Sequence, residues 1–314
     1  MRSVESKVDI AVDVKNLTKY YGQFLAVDHI SFAVKNGEIF GFLGPNGAGK
    51  TTTIRILTGV LGLDDGSASI FGYKVGSLNA KQITGVLPEM ANAYWDLSGW
   101  NNLMLMAELY GVPIRKAREK AAELLQATGL FTKKDEKAIK YSKGMIQRLI
   151  LCMALISEPQ ILFLDEPTSG LDVQSARLIN DMLRSLNTNG KTIFLTTHDI
   201  EEANQLCNRV CIINEGKIVA LDTPERIRLA TSSMYPVEVS FIDSVSVEDL
   251  AKLPGVNAVK TLGDKYRLYT AKPADLVTAL INYSYSSNLR ILSLNTLAPS
   301  LEDAFVALTE RTVK

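Results

Sequence analysis

The stretch Gly37–Gly59, GEIFGFLGPNGAGKTTTIRILTG, leaves this chain little freedom in its choice of fold. Glu38–Leu43 is an apolar run of strand length. Gly44–Thr51 fits G-x-x-x-x-G-K-[ST], and Thr52–Leu57 continues as a helix. Strand, loop and helix in that order belong to an α/β fold. The glycines let the backbone N–H groups of Gly44, Pro45, Asn46, Gly47, Ala48 and Gly49 (all but the proline) turn inward around phosphate oxygens. The helix N-terminus adds partial positive charge. From this frame Lys50 reaches β- and γ-phosphates, the Thr51 hydroxyl can ligate Mg²⁺, and Thr52 can donate to an α-phosphate. The motif implies a nucleoside triphosphate and leaves open which machine uses it.

A second stretch, PQILFLDEPTSGLD, supplies the acids. Ile161–Leu164 is fully apolar, as in a central parallel strand, and Asp165 and Glu166 follow at its carboxyl end, where open α/β sheets bind ligands. Two adjacent carboxylates there are costly without a cation or a chemical task. Asp165 is placed to hold Mg²⁺ and Glu166 to polarise the attacking water as general base. In KTIFLTTHDIEEA, Thr192–Thr196 reads as a further strand, with His198 at its end to hydrogen-bond the γ-phosphate. The other histidine, His29, lies among strand residues and reads as surface or packing.

GPNGAGKT, YSKGMIQR, ILFLDEPTSGLD and TTHD, in this order, resemble the nucleotide-binding subunit of an ABC transporter, over about residues 10 to 225. The resemblance implies an ABC-type P-loop NTPase with a mixed core sheet, an antiparallel β subdomain and a helical subdomain at about 90–150. It implies ATP and Mg²⁺, two protomers head to tail, and a separate integral membrane permease. Ser142 and Gly144 of YSKGM would then contact the γ-phosphate held by the other protomer. From residues alone, Ser142 is simply a helix N-cap. Tyr21 of TKYYGQF resembles the adenine-stacking aromatic, with Tyr20 one register away. Asp172 resembles the aspartate that couples the protomers. Glu89 of GVLPEM stands where the family usually has a glutamine that touches Mg²⁺ and the permease. Lys143 replaces a usual glycine and Met145 a usual glutamine; these departures resemble the exporter branch.

Composition narrows the setting. The chain has 314 residues, enough for two domains, with 34 Lys+Arg balancing 34 Asp+Glu and 46% hydrophobic residues. That balance offers no basic field, so nucleic acid is not an expected partner. Cys152, Cys207 and Cys211 sit in apolar stretches and read as reduced, buried thiols. Cys207 and Cys211, four residues apart, could serve a metal on a helix, but packing is the plainer reading. The start MRSVESKVDI has no apolar core of a signal peptide, and no apolar run approaches the roughly 20 residues that span a bilayer. The expected setting is the cytoplasm, on the inner face of the membrane through the permease.

Residues 10 to 40 read as short alternating strands with Asn36-Gly37 as a turn. NNLMLMAELYG and IRKAREKAAELLQATG read as helices ending at glycine, with Met104 and Met106 in the core and Trp95 and Trp100 as permease-contact candidates. Beyond residue 230 the pattern is β-α-β-β-α-β, a ferredoxin-like accessory domain over 231–314, with Gly263-Asp264 as its hairpin turn and SLEDAFVALTE as a closing helix. The favoured reading is an ATP-hydrolysing exporter subunit in which ATP closes a dimer, a homodimer in the simplest case. The rivals are an importer subunit and a soluble ATPase acting on nucleic acid or ribosomes. The latter usually carries long coiled-coil insertions or paired cassettes, absent here.

Overall fold

The computed structural model describes residues 10–89, 93–231, 235–297 and 300–310. The chain divides into two compact units, Met1–Pro224 and Glu225–Lys314.

The first unit opens with β1 (Ile10–Tyr21) and β2 (Phe24–Lys35), then β3 (Ile39–Leu43), α1 (Lys50–Leu57), β4 (Asp65–Ile70), β5 (Tyr73–Lys74), α2 (Leu78–Gln82) and β6 (Thr84–Leu87). Three helices follow: α3 (Gly99–Leu109), α4 (Ile114–Ala127) and α5 (Lys143–Leu155). The unit continues with β7 (Ile161–Asp165), α6 (Val173–Thr188), β8 (Thr192–Thr197), α7 (Ile200–Leu206), β9 (Arg209–Asn214) and β10 (Lys217–Asp222); α8 (Pro224–Thr231) begins at its last residue and runs into the second unit.

The opening strands are not short: β1 and β2 have 12 residues each and pair antiparallel. Register shifts along the pair absorb the strong twist that such long strands develop. With β4 and β5 they form a four-stranded sheet in the order β2-β1-β4-β5. The second sheet runs β10-β9-β3-β8-β7-β6; it is parallel but for the β9–β10 hairpin. Every residue of β3, β7 and β8 is buried. Strands covered on both faces are predominantly apolar, which is why their centres read as runs rather than as alternation, with the buried Asp165 and the β8 threonines at the strand ends.

Between the sheets lies an aromatic core. Phe194 packs on Phe40, Phe42 and Phe163 at centroid separations of 5.6, 5.6 and 5.4 Å, and Phe32 of β2 closes the cluster. Each such side chain contributes on the order of 1.5–3 kcal/mol by leaving water. This packing fixes the register of three parallel strands against one another. In that register Leu43 pairs with Thr197, and Asp165 pairs with Thr196. The phosphate loop, the acidic pair and His198 therefore emerge side by side at the carboxyl ends of three adjacent interior strands.

The helices α3, α4 and α5 pack together, with Leu103, Ala107, Ala121, Leu125 and Leu149 buried. Met104 and Met106 depart from the core expected for them: both are half-buried, and Met104 lines an outer groove with Leu105 and Ile114. Trp95 is exposed and Trp100 half-buried. The two cysteines do not share a helix. Cys207 caps the C-terminus of α7, while Cys211 lies inside β9. The helix ends between them, so the four-residue spacing no longer places both on one face, and a helical metal pair is ruled out. Burial pushes both thiols well above the ordinary range, and Cys152 up to about 12.

The second unit contains β11 (Tyr235–Phe241), α9 (Val247–Ala251), β12 (Ala258–Leu262), β13 (Lys265–Thr270), α10 (Pro273–Ser286), β14 (Ile291–Thr296) and α11 (Leu301–Glu310). Its sheet is antiparallel with the order β12-β13-β11-β14. That is the split βαβ arrangement of a ferredoxin-like domain. Val237, Val239, Leu250, Leu268, Leu276 and Leu280 form its core.

Candidate functional site

The loop after β3 wraps the start of α1. Gly49 caps this helix at φ 104°, a conformation that side chains with a Cβ rarely adopt, and a Cβ there would stand 2.7 Å from the Ala26 carbonyl oxygen. Close passage of the loop over β2 thus requires glycine. Lys50, 6% exposed, turns back across the loop and donates to the carbonyl oxygens of Gly44 (2.7 Å) and Pro45 (3.3 Å). Its ammonium also lies 3.7 Å from Glu166 Oε1.

Asp165 ends β7 and is 3% exposed. The Thr196 hydroxyl donates to its Oδ1. Burial raises its pKa above the ordinary carboxylate value, Thr196 opposes the shift, and the negative charges of Glu89 and Glu166 reinforce it. A buried acid crowded by two further acids is the environment in which a divalent cation is most strongly favoured. Among the described residues there is no group of three or more His, Cys, Asp or Glu side chains poised to hold a metal. Thr51, Asp165 and Glu89 fit instead the sparse oxygen donors that Mg²⁺ accepts when substrate phosphates and water complete its shell.

Glu166 adopts φ 53°, unusual for a residue with a side chain. Its N–H donates to the Thr196 carbonyl and hydroxyl oxygens, both at 3.1 Å, which holds this strained turn against β8. The carboxylate meets His198, whose Nδ1 lies 2.6 Å from Oε2. The carboxylate is nearly buried while the imidazole is exposed. Glu166 therefore stands between a buried ammonium and an accessible imidazole.

A cleft of about 330 Å³ is lined by Asn46, Gly47, Gly49, Lys50, Thr51, Thr52, Glu89 and Glu166, with Tyr21, Phe24 and Ala26 on one wall. Tyr20, next to Tyr21 on an alternating strand, does not line it. Phe24, 64% exposed and paired with Tyr21 across the β1–β2 turn, went unnoticed in the sequence. Its signal was its place directly after the Gly22-Gln23 turn.

Ser142, Gly144 and Asp172 form a separate group, and none of them lines this cleft. Ser142 caps α5 by accepting from the Met145 N–H at 3.3 Å. Asp172 caps α6, accepting from the N–H and hydroxyl of Ser175 at 2.9 and 2.8 Å. A Cβ on Gly144 would stand 2.6 Å from the Ser175 hydroxyl, so glycine here is what lets the two helix starts meet. Lys143 is exposed, and its ammonium packs against Gly170, within contact distance of where a Cβ there would stand. His29 is exposed, with Nδ1 2.6 Å from Asp28. No helix among the described residues is long and apolar enough to cross a membrane.

Comparisons with known proteins agree with this geometry. The ABC transporter family model matches residues 27–169. The chain is 35% identical to the linearmycin resistance ATP-binding protein LnrL of Bacillus subtilis, over 96% of this chain and 99% of that protein. It is 38% identical to the Nod factor export ATP-binding protein I of Burkholderia pseudomallei, over 96% and 97% of the two chains. These matches run through the second unit as well as the first. Among solved structures, an ATP-binding subunit of an ABC transporter superposes with a TM-score of 0.65 at 28% identity, covering 70% of this chain and 92% of that one. CbiO1 of Clostridium perfringens, part of an ABC transporter complex, gives 0.64 at 26% identity, covering 70% and 90%. The chain belongs to the ABC transporter ATP-binding subunits, proteins that bind ATP and couple its hydrolysis to transport.

Proposed function

We propose that this subunit powers export through a separate integral membrane permease, working in the cytoplasm as a homodimer that closes on two ATP molecules. The printed roles of the relatives, Nod factor export and linearmycin resistance, support the outward direction. The absence of a membrane-crossing helix among the described residues is consistent with a permease on another chain.

In this reading the adenine lies against Tyr21, with Phe24 beside it. The phosphates lie along Gly44–Thr52, and Lys50 exchanges its carbonyl partners for β- and γ-phosphate oxygens. Thr51, Asp165 and Glu89 would hold Mg²⁺, which neutralises charge building on the phosphate oxygens. Glu166 accepts a proton from the attacking water. His198 orients the Glu166 carboxylate through Nδ1, and the imidazole is placed to meet the γ-phosphate with its other nitrogen. Ser142 and the Gly144 N–H at the start of α5 meet the γ-phosphate of the partner's ATP. Asp172 couples the two protomers.

The observation that carries this reading is the Lys50–Glu166–His198 arrangement, with Glu166 bridging an ammonium at 3.7 Å and an imidazole at 2.6 Å. The experiment is Mg²⁺-dependent ATP turnover of the wild-type chain and of Glu166→Gln, with size-exclusion of each in ATP. Loss of turnover together with ATP-dependent dimerisation supports the reading. Retained turnover removes Glu166 as base.

A further inference from the structure

Behind the Glu166–His198 pair lies a second cavity, of about 690 Å³. One wall is the loop that follows Glu166, including Thr168–Leu171; a second is α6, with Ala176 and Asn180; the third runs from the end of β8 at Thr197 into the start of α7 at Glu202. A loop with this much open space behind it needs a brace. Among the described residues two side-chain bonds supply it. Gln147 Nε2 of α5 donates to the Pro167 carbonyl oxygen at 2.9 Å. On the cavity side, the Thr168 hydroxyl donates to Glu202 Oε1 at 2.7 Å.

Glu202 is an unusual residue to find there. It is 7% exposed, and its Oε2 is buried without a hydrogen-bond partner, as is Oδ1 of neighbouring Asn180. Burial raises its pKa above the ordinary value, while the Thr168, Thr197 and Asn180 side chains partly oppose the shift and Asp199 adds to it. Its backbone is fixed as well: Asp199 Oδ1 accepts from the Glu202 N–H at 3.0 Å, and the Asp199 N–H donates to the Thr197 hydroxyl at 3.0 Å. One side chain thus links the loop after Glu166 to the loop that contains His198.

We propose that Glu202 is a positioning residue for hydrolysis, holding through Thr168 the loop after Glu166 so that the Glu166 carboxylate stays aligned with His198. This rests on Glu166 being the base. The role is geometric: misplacing a reacting group by about 1 Å can cost as much as 100-fold in rate.

The test is a double-mutant cycle on the full chain with ATP and Mg²⁺, using Thr168→Val, Glu202→Ala and the pair, with Glu202→Gln as the conservative variant. Each single truncation is expected to lower kcat about tenfold while KM for ATP stays within about twofold, and the double variant is expected to be no slower than the slower single. Glu202→Gln, which keeps an acceptor for Thr168, is expected to recover most of the rate. Full kcat in Thr168→Val or Glu202→Ala overturns the proposal, as do losses that multiply in the double. Should Glu202→Ala fail to fold, Thr168→Val and Glu202→Gln decide on the same criteria. If Glu166→Gln retains turnover, the base assignment itself falls. If it is inactive while the truncations are not, only the role of Glu202 falls.

Discussion

His198 Nδ1 lies 2.6 Å from Glu166 Oε2, yet the imidazole is 58% exposed and the carboxylate only 9%. The bond therefore crosses from the interior to the surface, with the acid shielded and the imidazole left open to a phosphate. Removing the imidazole should leave the base in place but loosely held. His198→Ala is expected to lower kcat by about 100-fold, the scale of a misplaced reacting group, with KM for ATP within a few-fold. Steady-state kinetics check this; an unchanged kcat would make the bond incidental.

Asp165 yields a prediction about stability as well as turnover. Its folded pKa is raised above the unfolded value, so the native state holds more protons than the unfolded state between the two values. Stability from this group is thus greatest below the unfolded value and falls as pH rises through that window. Above the window the buried charge is a standing cost. Asp165→Asn is expected to raise Tm at neutral pH without Mg²⁺, to flatten that part of the pH–stability curve, and to abolish Mg²⁺-dependent turnover. Thermal melts across pH, with and without Mg²⁺, test each part.

The wall formed by Tyr21 and Phe24 should bind the flat base of the nucleotide rather than its phosphates. Removing one aromatic–base stacking contact costs on the order of 1–3 kcal/mol. Tyr21→Ala and Phe24→Ala are expected to weaken ATP and ADP alike by about five- to a hundredfold, with little change in saturating kcat. Binding of a fluorescent ATP analogue modified on the ribose measures this directly.

Gly144 and Ser175 test the meeting of the two helix starts. A Cβ on residue 144 would collide with the Ser175 hydroxyl, 2.6 Å away, and displace it from Asp172. Gly144→Ala is expected to cost about 1–3 kcal/mol, as overpacking does. Ser175→Ala in the same chain removes the colliding oxygen and should recover part of that loss. Denaturant midpoints of the two variants decide it; equal midpoints would mean that the loops part freely.

Much of this was legible in the chain itself. The strand–loop–helix around Lys50 and the apolar run before Asp165 are local signals, complete within a few residues, and they appear as Ile39–Leu43, Lys50–Leu57 and Ile161–Asp165. The tail's element order survives because each helix and strand carries its own periodicity. What escaped notice depends on proximity across the sheet. Phe24 reaches the cleft only because the β1–β2 turn folds it back beside Tyr21. Glu202 meets Thr168 across 34 positions of sequence, and no spacing rule connects them. Cys207 and Cys211 are buried, as the packing reading has it; the four-residue spacing alone does not show that a helix ends between them.

The account turns on Glu166, and single-turnover hydrolysis of ATP by Glu166→Gln against wild type, with Mg²⁺ present and dimer formation followed in the same samples, tests it most directly. The prediction is a loss of at least about 100-fold in the chemical step, with ATP still bound and a dimer that persists. A variant that cleaves ATP at the wild-type rate would contradict it.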